Sequence, residues 1–225
     1  MFFETSYSAG IYINEYIHGN EIYPLREFIT SYQGTMFGSL DFEDFLTNLQ
    51  KYNKRAKHKI NFVGIDLEYQ KEITLKMLEY CRQNKMKSEF ETILNNQKET
   101  ISLQNLTDSD YEKKREKLLI KHFLVRYQKQ IEVLCFMGAW HVRDNSKEVN
   151  FVKEIRKEKL KLLSLEVLYQ DSKRTTKQND KFKIVKVNDK INMDDYHIYY
   201  GIGISKANSK LGMILLKDCN ALKMI

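Results

Sequence analysis

Short apolar runs rich in β-branched and aromatic residues punctuate this chain and predict strands at residues 2–3, 60–65, 131–137, 162–168, 182–187, 198–204 and 213–216. The run at 131–137 (IEVLCFM) is the strongest of these. Helical periodicity fills the gaps. Residues 8–17 predict a first helix. Asp41 is placed to cap a second, with Phe42, Phe45, Leu46, Leu49 and Tyr52 recurring along one face. Residues 68–82 carry Ile73, Met77, Leu78 and Cys81 on one side. Ser109-Asp110-Tyr111-Glu112 has the spacing of a capping box and opens a long helix predicted to run to about residue 130. Residues 147–157 predict a further helix, and the polar stretch 173–181 (KRTTKQNDK) an exposed loop.

Strands alternating with helices predict an α/β fold with a mainly parallel central sheet flanked by helices. Residues 84–130 are the largest piece without a strand and read as a helical insertion overhanging the sheet. There is no internal repeat, and the length suits one domain over 1–225.

Composition narrows the picture. Hydrophobic residues make up 42% and charged residues 30%, which excludes a wholly disordered chain. One Pro and 9 Gly exclude collagen-like and Pro-rich linker sequence. Cys81, Cys135 and Cys219 are far apart, so neither a disulfide scaffold nor a structural zinc site is expected. No apolar run is long enough to span a membrane, and Met1-Phe2-Phe3-Glu4 does not open like a signal peptide. A reduced, cytoplasmic protein is expected. The net charge of +7 raises nucleic acid as a partner, but Lys alternates with Glu, as in Glu112-Lys113-Lys114-Arg115-Glu116-Lys117, which reads as a solvated face.

In parallel α/β sheets ligands bind beyond the carboxyl ends of the strands. That rule points to the polar residue closing each apolar run. The first run ends in Glu4, the second in Asp66 with Glu68 two residues on, the third in Gly138-Ala139-Trp140-His141. Two carboxyl groups and an imidazole on one rim can perform acid–base chemistry. Each residue also has a plainer role open to it. Glu4 fits a solvated terminal residue, Asp66 a helix cap, His141 a loop histidine, and Trp140 a core residue or a pocket wall. Gly138 could simply supply a permissive backbone angle. His18, His58, His122 and His197 read as structural or surface residues. No GxSxG, P-loop, HExxH or GxGxxG motif is present.

The ordered set of motifs resembles the erythromycin esterase-like family. Glu4-Thr5-Ser6-Tyr7-Ser8-Ala9-Gly10 followed by Ile13-Asn14-Glu15-Tyr16-Ile17 resembles that family's segment in which a strand ends in a catalytic Glu and a helix with an N-x-Y-[LI] pattern follows. Tyr52-Asn53 and then Ile60-Asn61-Phe62-Val63-Gly64-Ile65-Asp66 resemble its "YN" and G-x-D stretches. Phe136-Met137-Gly138-Ala139-Trp140-His141 resembles its histidine-bearing strand end, with the G-x-x-H spacing of the wider superfamily that includes ChaN-like and TraB/Tiki-like proteins. The resemblance covers roughly residues 1–145. The family's first signature, G-E-x-x-H-G, lies upstream of the Glu, so the chain is expected to be an N-terminally incomplete version with a gap beside its first strand. A second histidine found in many of its esterases, three residues before the match to His141, is Gly138 here.

The resemblance implies a metal-independent hydrolase of esters or amides. Glu4 and His141 are the catalytic candidates; Asp66, Trp140 and Tyr7 are the substrate-binding ones. No cofactor is expected. A small-molecule substrate is the expected partner, neither nucleic acid nor a membrane is, and homo-oligomerisation is left open. The alternative is a non-catalytic protein of the same fold that binds a small molecule or haem, with Tyr7, Tyr69 or His141 as the iron ligand.

Overall fold

The strand β1 (Phe2–Ser6) has every residue buried except Glu4, which is half-buried. It is the middle strand of a parallel three-stranded sheet, between β2 (Val63–Asp66) and β3 (Cys135–Phe136). Phe2 is opposite Val63 and Cys135, and Phe3 is opposite Gly64 and Phe136. The register then shifts, so that Ser6 sits opposite Asp66. β1 therefore has a paired strand on each side, where the sequence predicts a gap.

These strands belong to a computed structural model that describes residues 1–20, 24–127, 133–138, 141, 150–158 and 160, together with six strands between residues 164 and 217. It divides into two compact units, Met1–Gly138 and Ala139–Lys223, where the sequence reading expects one domain.

In the first unit the helices are α1 (Tyr7–His18), α2 (Leu25–Ser31), α3 (Leu40–Arg55), α4 (Lys71–Gln83), α5 (Lys87–Ser102) and α6 (Asp108–Arg126), with a 3-10 turn at Met36–Gly38. Successive side chains of a strand point to opposite faces, and β1 uses both. Phe3 stacks on Phe62 at 3.9 Å between ring centroids and meets Phe37 at 6.3 Å. Thr5 shares a 3.0 Å hydrogen bond with the buried Tyr32 hydroxyl, whose pKa burial pushes up to about 12. On the other face Phe2 meets Phe123 of α6 at 4.9 Å.

The approach of α1 to β2 depends on glycine. A Cβ on Gly10 would lie 2.5 Å from the Gly64 nitrogen, and one on Gly64 would lie 1.8 Å from the Ser6 carbonyl oxygen. Two asparagines then fix the path into β2. Asn14 donates to the Phe62 carbonyl and accepts from its N–H, both at 2.7 Å. Asn53 makes the same pair of bonds to Ile60, both at 2.9 Å.

Two caps differ from the sequence expectation. α3 is capped by Ser39, whose hydroxyl accepts from the Phe42 N–H, while Asp41 lies in the first turn. α6 is capped by Thr107, which accepts from the Asp110 N–H at 3.3 Å and bonds the Asp110 carboxylate at 3.1 Å. The N-cap is therefore Thr107, two residues before the one the sequence suggests, with the Asp110 carboxylate bonded to its hydroxyl. Threonine caps as serine does, and the buried face of α6 fixes which of the two is used.

In the second unit α7 (Phe151–Lys157) is capped by Asn150. β4 (Ser164–Gln170) runs parallel to β9 (Leu211–Lys217), and β8 (Ile202–Ser205) and β7 (Tyr196–Tyr199) extend that sheet antiparallel. The single strand expected at 198–204 is thus two antiparallel strands, Tyr196–Tyr199 and Ile202–Ser205. β5 (Ser172–Gln178) pairs antiparallel with β6 (Lys181–Val187), so the loop expected at 173–181 is a hairpin. Gln178 pairs with Lys181, and Asn179-Asp180 between them is a two-residue hairpin sequence. Polar strands escape an apolar-pattern reading.

Candidate functional site

Asp66 closes β2, at the rim where α/β sheets hold ligands, whereas Glu4 is not the end of its strand as the sequence suggests: β1 runs on to Ser6, and Glu4 sits where the register between the two strands shifts. What joins them is Arg115 of α6. Its Nη2 donates to Glu4 Oε1 at 2.7 Å and to Asp66 Oδ2 at 2.5 Å, and its Nε donates to Asp66 Oδ1 at 3.1 Å. The side chains of Arg115, Glu4 and Asp66 are 15%, 22% and 4% exposed. Burial opposes the charge on Arg115, but the bonds from Asp66 outweigh it and hold the guanidinium protonated well above the ordinary arginine value. Asp66 Oδ1 also accepts from the Leu67 N–H at 2.8 Å.

Glu4 is fixed from the other side by β3. The exposed Gly138 N–H donates to Glu4 Oε2 at 2.7 Å. Both carboxyl oxygens are thus oriented, while the group keeps more solvent access than Asp66. Such a group can accept a hydrogen bond from a substrate hydroxyl or from an attacking water. Tyr69 and Tyr111 flank the cluster, with hydroxyls 2.5 Å apart and the Arg115 guanidinium carbon 6.0 Å from the Tyr69 ring centroid.

Glu68 faces the start of α1. It accepts from the Ser8 N–H at 3.2 Å, from the Ser8 hydroxyl, and from the Thr74 hydroxyl at 2.9 Å. Burial raises its pKa above the usual carboxyl value, with these donors opposing. At 6% exposure it supports the turn after β2 and offers no face to a ligand.

The sequence candidates thus divide. Glu4 and Asp66 come together, and Asp66 does not cap α4, which begins at Lys71. Tyr7 lies elsewhere in the unit, beneath Arg126, whose guanidinium carbon is 4.3 Å from its ring centroid. His141 is buried and belongs to the second unit, and Trp140 lies outside the described residues. Tyr69, a candidate iron ligand, is instead bonded to Tyr111.

Arg115 is the residue the sequence reading missed, because it sits in a charge run taken for a solvated face. Glu116 in the same run is 1% exposed. The signal was spacing: Arg115, Leu119, His122, Phe123 and Arg126 recur at helical intervals, and the middle three are buried. His122, expected to be a structural or surface residue, is a buried structural one. It lies between the Ile65 carbonyl at 3.0 Å and Glu99 at 2.7 Å.

Burial pushes the Cys81 thiol up to about 11 and the Cys135 thiol up to about 12, so neither is a ready nucleophile near neutral pH. Among the described residues no group of three or more His, Cys, Asp or Glu could hold a metal ion, and no helix is long and apolar enough to cross a membrane.

No protein-family model matches the chain, and no curated protein does. Two solved structures are similar in fold. One is the crystal structure of a succinoglycan biosynthesis protein, with TM-score 0.63 and 10% identity over 100% of this chain and 75% of the other. The second is a protein from Bacillus cereus, also with TM-score 0.63 and 10% identity, over 100% of this chain and 81% of the other. The chain has an α/β fold with a small parallel sheet among helices.

Proposed function

We propose that this chain is an erythromycin esterase-like hydrolase that cleaves an ester or amide of a small molecule by acid–base chemistry without a metal. The observation that carries the reading is the shared guanidinium: Arg115 bonds Glu4, within β1, and Asp66, at the carboxyl end of the neighbouring parallel strand. In this reading Glu4 positions the attacking water or the reacting oxygen, using the carboxyl oxygen that also accepts from Gly138. Arg115 and Asp66 hold Glu4 in place and leave it the more accessible carboxyl group. His141, buried in the second unit, is the candidate imidazole for the proton transfer such a reaction needs. Of the expected substrate-binding residues, Asp66 borders Glu4 through Arg115, while Tyr7 lies beneath Arg126, away from this cluster, and Trp140 lies outside the described residues. Helices flank the sheet, and residues 84–130 are the inserted cover that selects what enters. The protein acts in the cytoplasm.

The test is a spectrophotometric screen of the purified chain against aryl esters and aryl amides of increasing acyl size, across pH. Turnover with a pH–rate profile showing a limb near neutrality supports the reading, because an essential imidazole titrates there. Failure to hydrolyse any member, with substrate recovered intact, overturns it.

A further inference from the structure

A second cleft of about 540 Å³ opens in the first unit, lined by residues of α1, the entry to β2, the start of α5 and the end of α6. That volume is in the range of small-molecule sites. Neither Glu4 nor Asp66 lines it. Its walls are apolar at Ile11, Phe62, Val63, Met86 and Val125.

Among the described residues the charged groups in this cleft form no direct ion pair, although Glu68, Glu99 and the Tyr7 hydroxyl favour the charge on Arg126. Arg126 is half-buried, stacks on Tyr7 at 4.3 Å, and donates through Nη1 to the His122 carbonyl at 3.0 Å. It forms no ion pair among the described residues, unlike Arg115 on the same helix. A guanidinium has five N–H donors, and burying it without an anion is costly. Burial lowers its pKa, with Tyr7 opposing. Glu89 and Glu15 also line the cleft and are half-buried. Glu15 accepts from the Asn20 side-chain amide at 2.7 Å, a neutral donor, and neither glutamate meets a cation among the described residues.

A cleft with one guanidinium and two carboxylates, none in a direct ion pair among the described residues, and with apolar wall among them, matches a ligand with the reverse pattern. We propose that it binds a small zwitterion with an apolar body, of the size of an amino acid to a dipeptide. The ligand carboxylate meets Arg126 and its ammonium meets Glu89 or Glu15. This site is separate from the Glu4 cluster and does not depend on the hydrolase reading.

The experiment is isothermal titration of the full chain with leucyl-phenylalanine, with its N-acetyl derivative and with its C-terminal amide. Saturable binding of the free dipeptide is expected, weakened at least about tenfold by either blocking group, since each leaves one buried charge unmatched. Arg126→Met should weaken it by a similar factor. Val125 is 75% exposed and lines the cleft, so Val125→Trp fills the space from the surface without disturbing the core. It should abolish binding while the urea midpoint stays unchanged. No binding of the free dipeptide, equal binding of all three compounds, or binding that survives Val125→Trp would each overturn the proposal.

Discussion

Arg115 and Asp66 form a two-pronged pair, Nε to Oδ1 at 3.1 Å and Nη2 to Oδ2 at 2.5 Å, with the carboxylate 4% exposed. The same Nη2 reaches Glu4, so one side chain from α6 ties together two neighbouring strands. Losing the guanidinium leaves Asp66 buried without its counter-charge. Arg115→Gln should therefore cost about 3–5 kcal/mol of stability, the scale for breaking a buried pair from one side. Arg115→Lys should recover only part of this, because an ammonium cannot reproduce the planar fork. Urea denaturation of the three proteins measures both. A loss below about 1 kcal/mol in Arg115→Gln would mean the pair behaves as a surface one.

The Gly10–Gly64 contact sets how closely α1 approaches the sheet. Both neighbours are backbone, which cannot rotate away. Gly10→Ala should destabilise by about 3 kcal/mol, at the upper end of overpacking costs. Gly19, whose φ of 95° marks the end of α1, is a different case, because an added Cβ there meets only the end of Lys54 at 3.9 Å. Gly19→Ala should cost less, about 1 kcal/mol, through backbone strain alone. Thermal melts that rank the two variants the other way round would contradict the packing described.

Capping gives a third test. Thr107→Ala should destabilise by about 1 kcal/mol, the usual value of an N-cap. Ser109→Ala, inside the first turn of α6, should change stability by less than about 0.5 kcal/mol. Equal effects would place the cap where the sequence pattern alone puts it.

His122 gives a pH signature. Burial lowers its pKa below the ordinary 6.5, with Glu99 opposing. Between the folded and unfolded values the unfolded chain binds more protons, so stability rises with pH in that window and is lost as pH falls from about 6.5. Glu68 acts in the opposite sense. Its raised pKa means the folded chain holds the proton longer, so its contribution is greatest in acid and is lost as pH rises from the ordinary carboxyl value. Comparing the wild type with His122→Gln separates them. The stability difference in favour of wild type should grow with pH up to about 6.5 and then stay flat. A difference that is constant from about pH 5 to 8 would show that His122 does not change protonation on unfolding.

That strands at the start of the chain, at 60–65 and at 131–137 are parallel was legible from strands alternating with helices, but of the run expected to be the strongest only Cys135–Phe136 is strand among the described residues, with Leu134 and Phe136 exposed. Asp66 followed from strand-end position, while β1 runs past Glu4 to Ser6. Arg115 did not, since a charge run on a helix looks solvated until the face it shares with Leu119 and Phe123 is known. The asparagines within the family-like motifs, Asn14 and Asn53, turn out to clamp the backbone at Phe62 and Ile60. Their side-chain amides do the work of a neighbouring strand, which no composition or periodicity announces. In the pair β5–β6, β6 was legible from Phe182, Ile184, Val185 and Val187, while β5 was missed because it is polar and only Thr175 and Thr176 hint at extended chain.

The central claim is that Glu4 takes part in hydrolysis. The most direct measurement is kcat for the best aryl ester, compared between wild type and Glu4→Gln at matched urea midpoints. Glutamine keeps the shape but has a single acceptor oxygen, so it retains the bond from Gly138 or the one from Arg115 and not both, and the urea midpoint shows what that costs the fold. The account predicts a fall of about 10²–10⁴-fold in kcat, and a double variant with His141→Ala little worse than the worse single. Hydrolysis by Glu4→Gln within about twofold of wild type would contradict it.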